Sequence, residues 1–476
     1  MTGRMSLLRG VAALGGTLLL AGCQSFSSDG GISVTSSFAK QELGKDTIAI
    51  RTPDDASSAR ARVQSLIKRP LTAETAVQIA LLNNRGLQAA YNRLGIAEAV
   101  MVAGSLPPNP TLSVSRIASS VEVEFERKIV GNILALATLP ARAEMAQDRF
   151  RQAQLRAAEE TARVAADTRR SYYRAVASKQ LAAGLVEAQS SSANAAQIAT
   201  RLGQSGSLNK LDQAREQVFY AEITAQLASA RQKVASERER LIRDLGLWGD
   251  DLAFKLPAAL PTLPARARPL PTVERDALGH RIDVQIARIE VKTLAKSFGM
   301  SQATRFINVL ELTGIDKAKY PDGEASSRDR GVEVELQVPL FDFGETRLRE
   351  AEQTYMQAVN RLAEKAINVR SEARDAYRSY RSTYDIAAHY QREVLPLRKI
   401  ISDEMMLRYG AMQVDVFALL TEARQRIASR TAAIEARRNF WLASTDLSAA
   451  IIGGGGSTGG EETSMAVPAS GGGAGH

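Results

Sequence analysis

The chain has 476 residues, a formal charge of +9 at pH 7 and 45% hydrophobic residues, but only 5% aromatic ones. Long Ala-rich stretches without Gly or Pro exclude a string of compact aromatic cores and predict long helices packed through small residues. Arg and Lys are interspersed with Glu and Asp and form no dense basic block, the pattern of solvated helix faces rather than of a nucleic-acid surface.

Arg4 and Arg9 precede an apolar run from Val11 to Leu20 that ends in Leu20-Ala21-Gly22-Cys23. A basic start, a short apolar stretch and small residues before a cut site make a secretory signal, and the run is too short to span a bilayer. The ending resembles the bacterial lipoprotein box. It implies removal of residues 1–22 and acylation of Cys23, with Gln24 pointing to the outer membrane. Cys23 is the single cysteine, so no disulfide or thiolate metal cluster can form within one copy.

Residues 23–70 read as a lipidated arm, rich in Ser, Asp and Gly and broken by Pro53 and Pro70, with little regular structure. A first repeat covers 71–250. Thr72 caps a helix that runs past Leu87 and Ile96 to Leu106-Pro-Pro-Asn-Pro110. Strands occupy about 111–137, where Val121, Val123 and Phe125 alternate with Glu122, Glu124 and Glu126. Leu139-Pro140 opens a helix of about 64 residues, near 95 Å long. It ends at a tip over 201–207, and a second helix returns to Leu245.

A Pro-rich connector over 251–271 leads to a second repeat, 272–452. Ala277–Met300 reads as one helix, Arg305–Thr313 as a strand and Ile315–Arg330 as a polar loop. Val332, Val334, Leu336, Val338 and Leu340 then alternate with Glu333, Glu335 and Gln337, which closes a strand region of about 304–341. A second long helix, which Pro396 should bend, reaches a tip over 408–414. The last helix follows, and 453–476 is a Gly-rich tail expected to be disordered.

The halves are duplicates. Ala143–Phe150 matches Leu348–Tyr355, Tyr172 falls on Tyr377 at an offset of 205, and Arg201 falls on Arg408 at 207. The apolar seam of the second long helix steps by about 3.55 residues, which suits staves of a wide, nearly straight barrel. Four strands cannot span a membrane with open edges, so closure needs other copies; three copies supply twelve strands and an aqueous lumen.

Four phrases carry a family resemblance: the helix Leu71–Asn84, Leu106-Pro-Pro-Asn-Pro-Thr-Leu112, Val338-Pro-Leu-Phe-Asp-Phe-Gly344, and Arg408-Tyr409. In this order and spacing the chain resembles the TolC-like outer-membrane efflux proteins over about 71–451, with a phrase at the second tip similar to the subgroup associated with metal efflux. The resemblance implies a mainly helical fold with a small transmembrane β part: a homotrimer in which a twelve-stranded β-barrel sits in the outer membrane above a periplasmic α-barrel. Implied partners are a membrane-fusion adaptor and an inner-membrane pump, of the resistance–nodulation–division type rather than the ABC type. The adaptor-docking tips would be Arg201, Leu202 and Gly203 with Arg408, Tyr409 and Gly410. The pore gate would involve Arg408, Tyr409 and Asp415, placed one turn into the last helix. The match departs from the family where Gly410 follows the Arg-Tyr pair directly and where Leu202 replaces a tyrosine.

No catalytic or cofactor constellation is found. His280, His389 and His476 are scattered, and no phosphate loop opens a helix after a strand. Glu122, Glu124, Glu126, Glu333 and Glu335 face a lumen if the valines face lipid, as a cation-selective lining or simply a polar one. Met405, Met406 and Met412 fit packing better than soft-metal transfer. The rival architectures are a periplasmic adaptor, which would have one hairpin rather than two, and a coiled-coil lipoprotein rod without a pore.

Overall fold

A computed structural model describes residues 26–323 and 325–453. The lipidation candidate Cys23, the signal segment 1–22 and the tail beyond 453 lie outside the described residues. The arm is more regular than its composition implies. Helix α1 spans Ser33–Phe38 and continues into a π-helical turn, Ala39–Leu43; α2 spans Pro53–Ile67. Thr52 and Asp55 form a reciprocal capping box with Pro53 at the first helical position, which overcomes a polar composition that otherwise reads as tether.

The opening helix of each repeat is broken in two. In the first, α3 (Ala73–Asn83) and α4 (Arg85–Ser105) meet at Asn84, whose backbone is extended. Its Oδ1 accepts from Leu87 N at 3.0 Å while its Nδ2 donates to the Asp244 carbonyl at 2.9 Å. In the second, α8 (Val273–His280) and α9 (Ile282–Ala303) meet at Arg281. The Arg281 guanidinium is buried and reaches Asp283 at 2.9 Å and Glu372 at 2.5 Å. Burial pushes the Asp283 carboxyl up, but Arg281 and Lys365 outweigh it and hold it below the usual carboxylate range.

Four strands follow the order β1 (Thr111–Ala118), β2 (Glu122–Asn132), β3 (Val309–Pro321) and β4 (Ser327–Gln337), all antiparallel. The expected polar loop over 315–330 is therefore mostly strand. Lys317 is paired across the sheet by Glu124, nearly two hundred positions away, and Asp316 by Arg328 of the neighbouring strand. Beyond β4 the chain turns at Asp342-Phe343-Gly344. Phe343 and Gly344 take φ of 48° and 71°, and a Cβ on Gly344 would sit 2.2 Å from the Arg305 carbonyl oxygen.

After a short α5 (Ile133–Ala137), α6 runs unbroken from Leu139 to Gln204, 66 residues, and α7 returns over Lys210–Leu245. The second hairpin climbs as α10 (Glu345–His389), a π-helical turn at Tyr390–Val394 and α11 (Leu395–Gly410), then returns as α12 (Val416–Ile452). Where a bend is expected from Pro396, the helix carries a π-helical turn just ahead of the proline. Two clusters of buried side chains hold the halves. One gathers Leu71, Ile79, Val176, Leu245 and Phe254, the other Val284, Val369, Tyr380 and Phe440. Trp441 joins them, stacked on Tyr173 at 5.3 Å and against Phe440 at 5.1 Å. The connector has little regular structure, yet the long helices satisfy its backbone. Tyr384 Oη donates to the Ala265 carbonyl at 2.9 Å, Lys179 Nζ to that of Leu256 at 2.7 Å, and Trp441 Nε1 to that of Pro261 at 3.1 Å.

Candidate channel wall and hairpin tips

Cross-strand partners in an antiparallel sheet point to the same side, so the register assigns every strand residue to a face. One face carries Glu122, Glu124, Glu126, Glu333 and Glu335 together, as the alternation predicts. It also carries Glu311 and Asp329 and, interspersed with them, Lys128, Lys317 and Lys319. Lys317 and Lys319 escaped sequence reading because β3 beyond Thr313 looked like a loop; their period of two was the available signal. The other face presents Leu112, Val114, Ile129, Leu310, Leu312, Val332, Val334 and Leu336.

The faces differ in crowding as well as chemistry. On the polar face of the central strands Glu124 is 14% and Glu126 21% exposed. On the apolar face of the central strands Ile129 is 57% and Leu312 42% exposed. A crowded charged side and an open apolar side suit a segment of barrel wall that curves around water with lipid outside. Both outer strands, β1 and β4, are exposed along their lengths and have one edge unpaired. No helix among the described residues is long and apolar enough to cross a membrane.

At the opposite end lie the two tips. Helix α6 ends so that the Leu202 carbonyl accepts from Ser207 N at 2.9 Å and Leu208 N at 3.1 Å. Arg201 is exposed beside them, and Gly203 lies where a Cβ would meet the Gln213 side chain of α7 at 2.7 Å. In the second tip Arg408 Nε bonds Glu404 at 2.8 Å within its own helix, Tyr409 is partly exposed, and Gly410 has open space around it. Met412, 94% exposed, takes a left-handed φ of 60°, the role Gly206 plays with φ 73° in the first tip. Asp415 is not one turn into the last helix: it is the N-cap of α12, and its carboxylate accepts from Ala418 N at 2.8 Å. Asn209 caps α7 in the same way.

Sequence reading missed the links between the hairpins, which all come from α12. Arg424 donates to Glu216 of α7 at 2.7 Å and lies over the Phe219 ring at 4.4 Å. Arg430 meets Glu187 of α6 at 2.9 Å, and Asp446 meets Arg170 at 2.6 Å. Within the second hairpin, Arg398 pairs with the buried Glu422 at 3.0 Å. The partners between hairpins are separated by more than 200 positions and leave no local signal. Among the described residues no group of three or more His, Cys, Asp or Glu could hold a metal ion.

Neither a protein-family model nor a curated protein matches the chain. Solved structures do. CusC, whose crystal structures follow folding and transmembrane channel formation, superimposes with a TM-score of 0.66 at 18% identity, over 83% of this chain and 92% of its own. The outer-membrane protein VceC of Vibrio cholerae gives 0.65 at 14% identity, over 83% and 97%. The open-state outer-membrane channel MtrE of Neisseria gonorrhoeae gives 0.63 at 17% identity, over 83% and 89%.

Proposed function

We propose that this chain, which has the fold of the TolC-like outer-membrane efflux channels, is the outer-membrane exit duct of a tripartite efflux system. One observation carries the reading: a four-stranded sheet with a crowded charged face, an open apolar face and two unpaired edges stands at one end of helical hairpins whose tips lie at the other. Unpaired edges in lipid are unfavourable by several kcal/mol per exposed group, so the sheet demands closure by further copies. Three copies make a twelve-stranded wall, and their hairpins make a helical barrel that carries the lumen through the periplasm.

In this reading Cys23 anchors the chain in the outer membrane by its lipid, and transport is passive, with no residue asked to do covalent chemistry. The tips dock the adaptor: Arg201, Leu202 and Gly203 form one kind of surface, and Arg408, Tyr409 and Gly410 the other. The Met412 side chain supports this, being held out in a backbone conformation that glycine would occupy with less strain. Arg408, Tyr409 and Asp415 remain candidates for the closing constriction. A resistance–nodulation–division pump is the expected inner-membrane partner, with small molecules or metal ions as cargo. Purified protein added to planar bilayers is expected to give long-lived ion conductance, with native mass spectrometry reporting three chains. A monomer, or a trimer that never conducts even with Tyr409 and Asp415 replaced by alanine, would favour the rod without a pore.

A further inference from the structure

We infer that the outer face of the sheet binds the phosphate groups of a phosphorylated glycolipid in the outer leaflet, through Arg116, Arg127, Arg328 and Arg330. The inference rests on the proposed barrel, in which the apolar face meets lipid. All four arginines lie on that face, because the register pairs Arg116 through Phe125 and Ala318 with Arg328, and Arg127 through Asp316 with Arg330. These are adjacent rows of side chains, so the guanidinium groups form one patch. Asp316 is the only carboxylate on this face among the described strand residues, and both Arg328 and Arg330 reach it, the latter at 3.7 Å. Arg127 has no ion-pair partner among the described residues, and Arg116 lies over the Phe125 ring at 5.8 Å. Four cations thus face one anion, with the Arg330 side chain 72% exposed.

The position of the patch selects its ligand. Below it on the same face come Leu112, Ile129 and Val332, then Leu312 and Val334, then Leu310 and Leu336, with exposed Val338 and Leu340 beyond. From Val332 to Gln337 the strand covers about 17 Å, or about 13 Å of height at a tilt near 40°, and the turn that bears Val338 and Leu340 carries the apolar face on toward the helices. The arginines begin where those rows end, on the side of the turns at 119–121 and 322–323 and away from the helices. Arginine within hydrocarbon is unfavourable, whereas at the headgroup level its fork matches phosphate oxygens two at a time. Above the upper arginine row stands Tyr320, half exposed and edge-on to Phe125 at 6.0 Å. Its ring offers a π face to the polarised C–H groups of a sugar, which distinguishes a glycolipid from a simple phospholipid.

The test titrates purified full-length protein in detergent with bis-phosphorylated lipid A, its monophosphorylated counterpart or phosphatidylcholine, and counts retained copies by native mass spectrometry. Wild type should retain the bis-phosphorylated form at least about tenfold better than phosphatidylcholine, with the monophosphorylated form between them. R127Q/R330Q should lose about tenfold, R127K/R330K less, and both should keep the conductance of wild type, which shows that the barrel is intact. Equal retention of all three lipids, undiminished retention by R127Q/R330Q, or full displacement by millimolar inorganic phosphate would each overturn the inference. The two readings separate: wild-type protein that never conducts but shows arginine-dependent retention sinks the exit duct alone, and a conducting protein without that retention sinks the lipid site alone.

Discussion

The link between hairpins at Arg424 and Glu216 allows a quantitative test of how the tips are held. The Glu216 side chain is 4% exposed, one oxygen bound by Arg424 at 2.7 Å and the other without a hydrogen-bond partner among the described residues. Arg424→Ala removes the guanidinium from this carboxylate and from the face of Phe219. Breaking a buried ion pair costs about 3–5 kcal/mol, most of it for the charge left behind. Arg424 is 35% exposed, so water reaches the site and the lower end, about 3 kcal/mol, applies. That corresponds to roughly a hundredfold rise in local opening. Hydrogen exchange of the purified protein, followed by mass spectrometry, should show it in peptides covering 205–223 and 411–427 while α3 and α4 stay protected. Glu216→Leu combined with Arg424→Met should recover most of the protection, because no charge is then stranded. Exchange in Arg424→Ala within about threefold of wild type, or a double variant as labile as the single one, would refute the reasoning.

Four further outcomes are expected. Gly344→Ala, which adds a left-handed strain and an overlap with the Arg305 carbonyl, should destabilise the strand-to-helix turn by more than about 2 kcal/mol and lower the yield of folded protein, read as heat-resistant oligomer on gels. Burial pushes Tyr91, Tyr172 and Tyr173 up to about 12, so the fold favours their neutral phenols. Each contributes at most about 2–3 kcal/mol that is present below pH 10 and lost as pH rises from 10 to 12, and a spectrophotometric titration should show these three ionising late. The charged face bears more carboxylates than lysines, so reversal potentials should report cation preference that grows in Lys317→Gln/Lys319→Gln; an anion-selective wild type contradicts the assignment of that face to the lumen. Asp415→Ala should fray the start of α12 by about 1 kcal/mol, seen as faster exchange at 416–420.

Much of this fold was legible because its signals are local. Alternation of Val and Glu marked β2 and β4, Leu139-Pro140 marked the start of α6, and the two Arg-led turns marked the tips. What escaped reading depends on partners far along the chain. The second half of β3, beyond Thr313, looks like loop until Glu124 and Glu126 stand opposite Lys319 and Lys317. The breaks at Asn84 and Arg281 contain neither Gly nor Pro; they exist because Asn84 caps one helix while holding the end of another, and because Arg281 is drawn into a buried ion network. The capping box at Thr52 and Asp55 was present in the sequence, and a polar composition hid it. For the wall, the alternating glutamates were visible and the lysines among them were not.

The π-helical turn at Tyr390–Val394 has a consequence for symmetry. Before it the two halves correspond at an offset of 205, as Tyr172 does to Tyr377; at the tips the left-handed Gly206 and Met412, and the caps Asn209 and Asp415, correspond at 206. The one extra residue falls in the interval that contains this wider turn, taken up in the helix instead of looped out. A residue added to a regular α-helix rotates everything beyond it by about 100°. The wider turn absorbs the addition, so the helix beyond Val394 keeps the facing of its counterpart in the first hairpin. In a trimer the six staves would then approximate sixfold order down to the mouth, and what distinguishes the two kinds of tip there is their side chains.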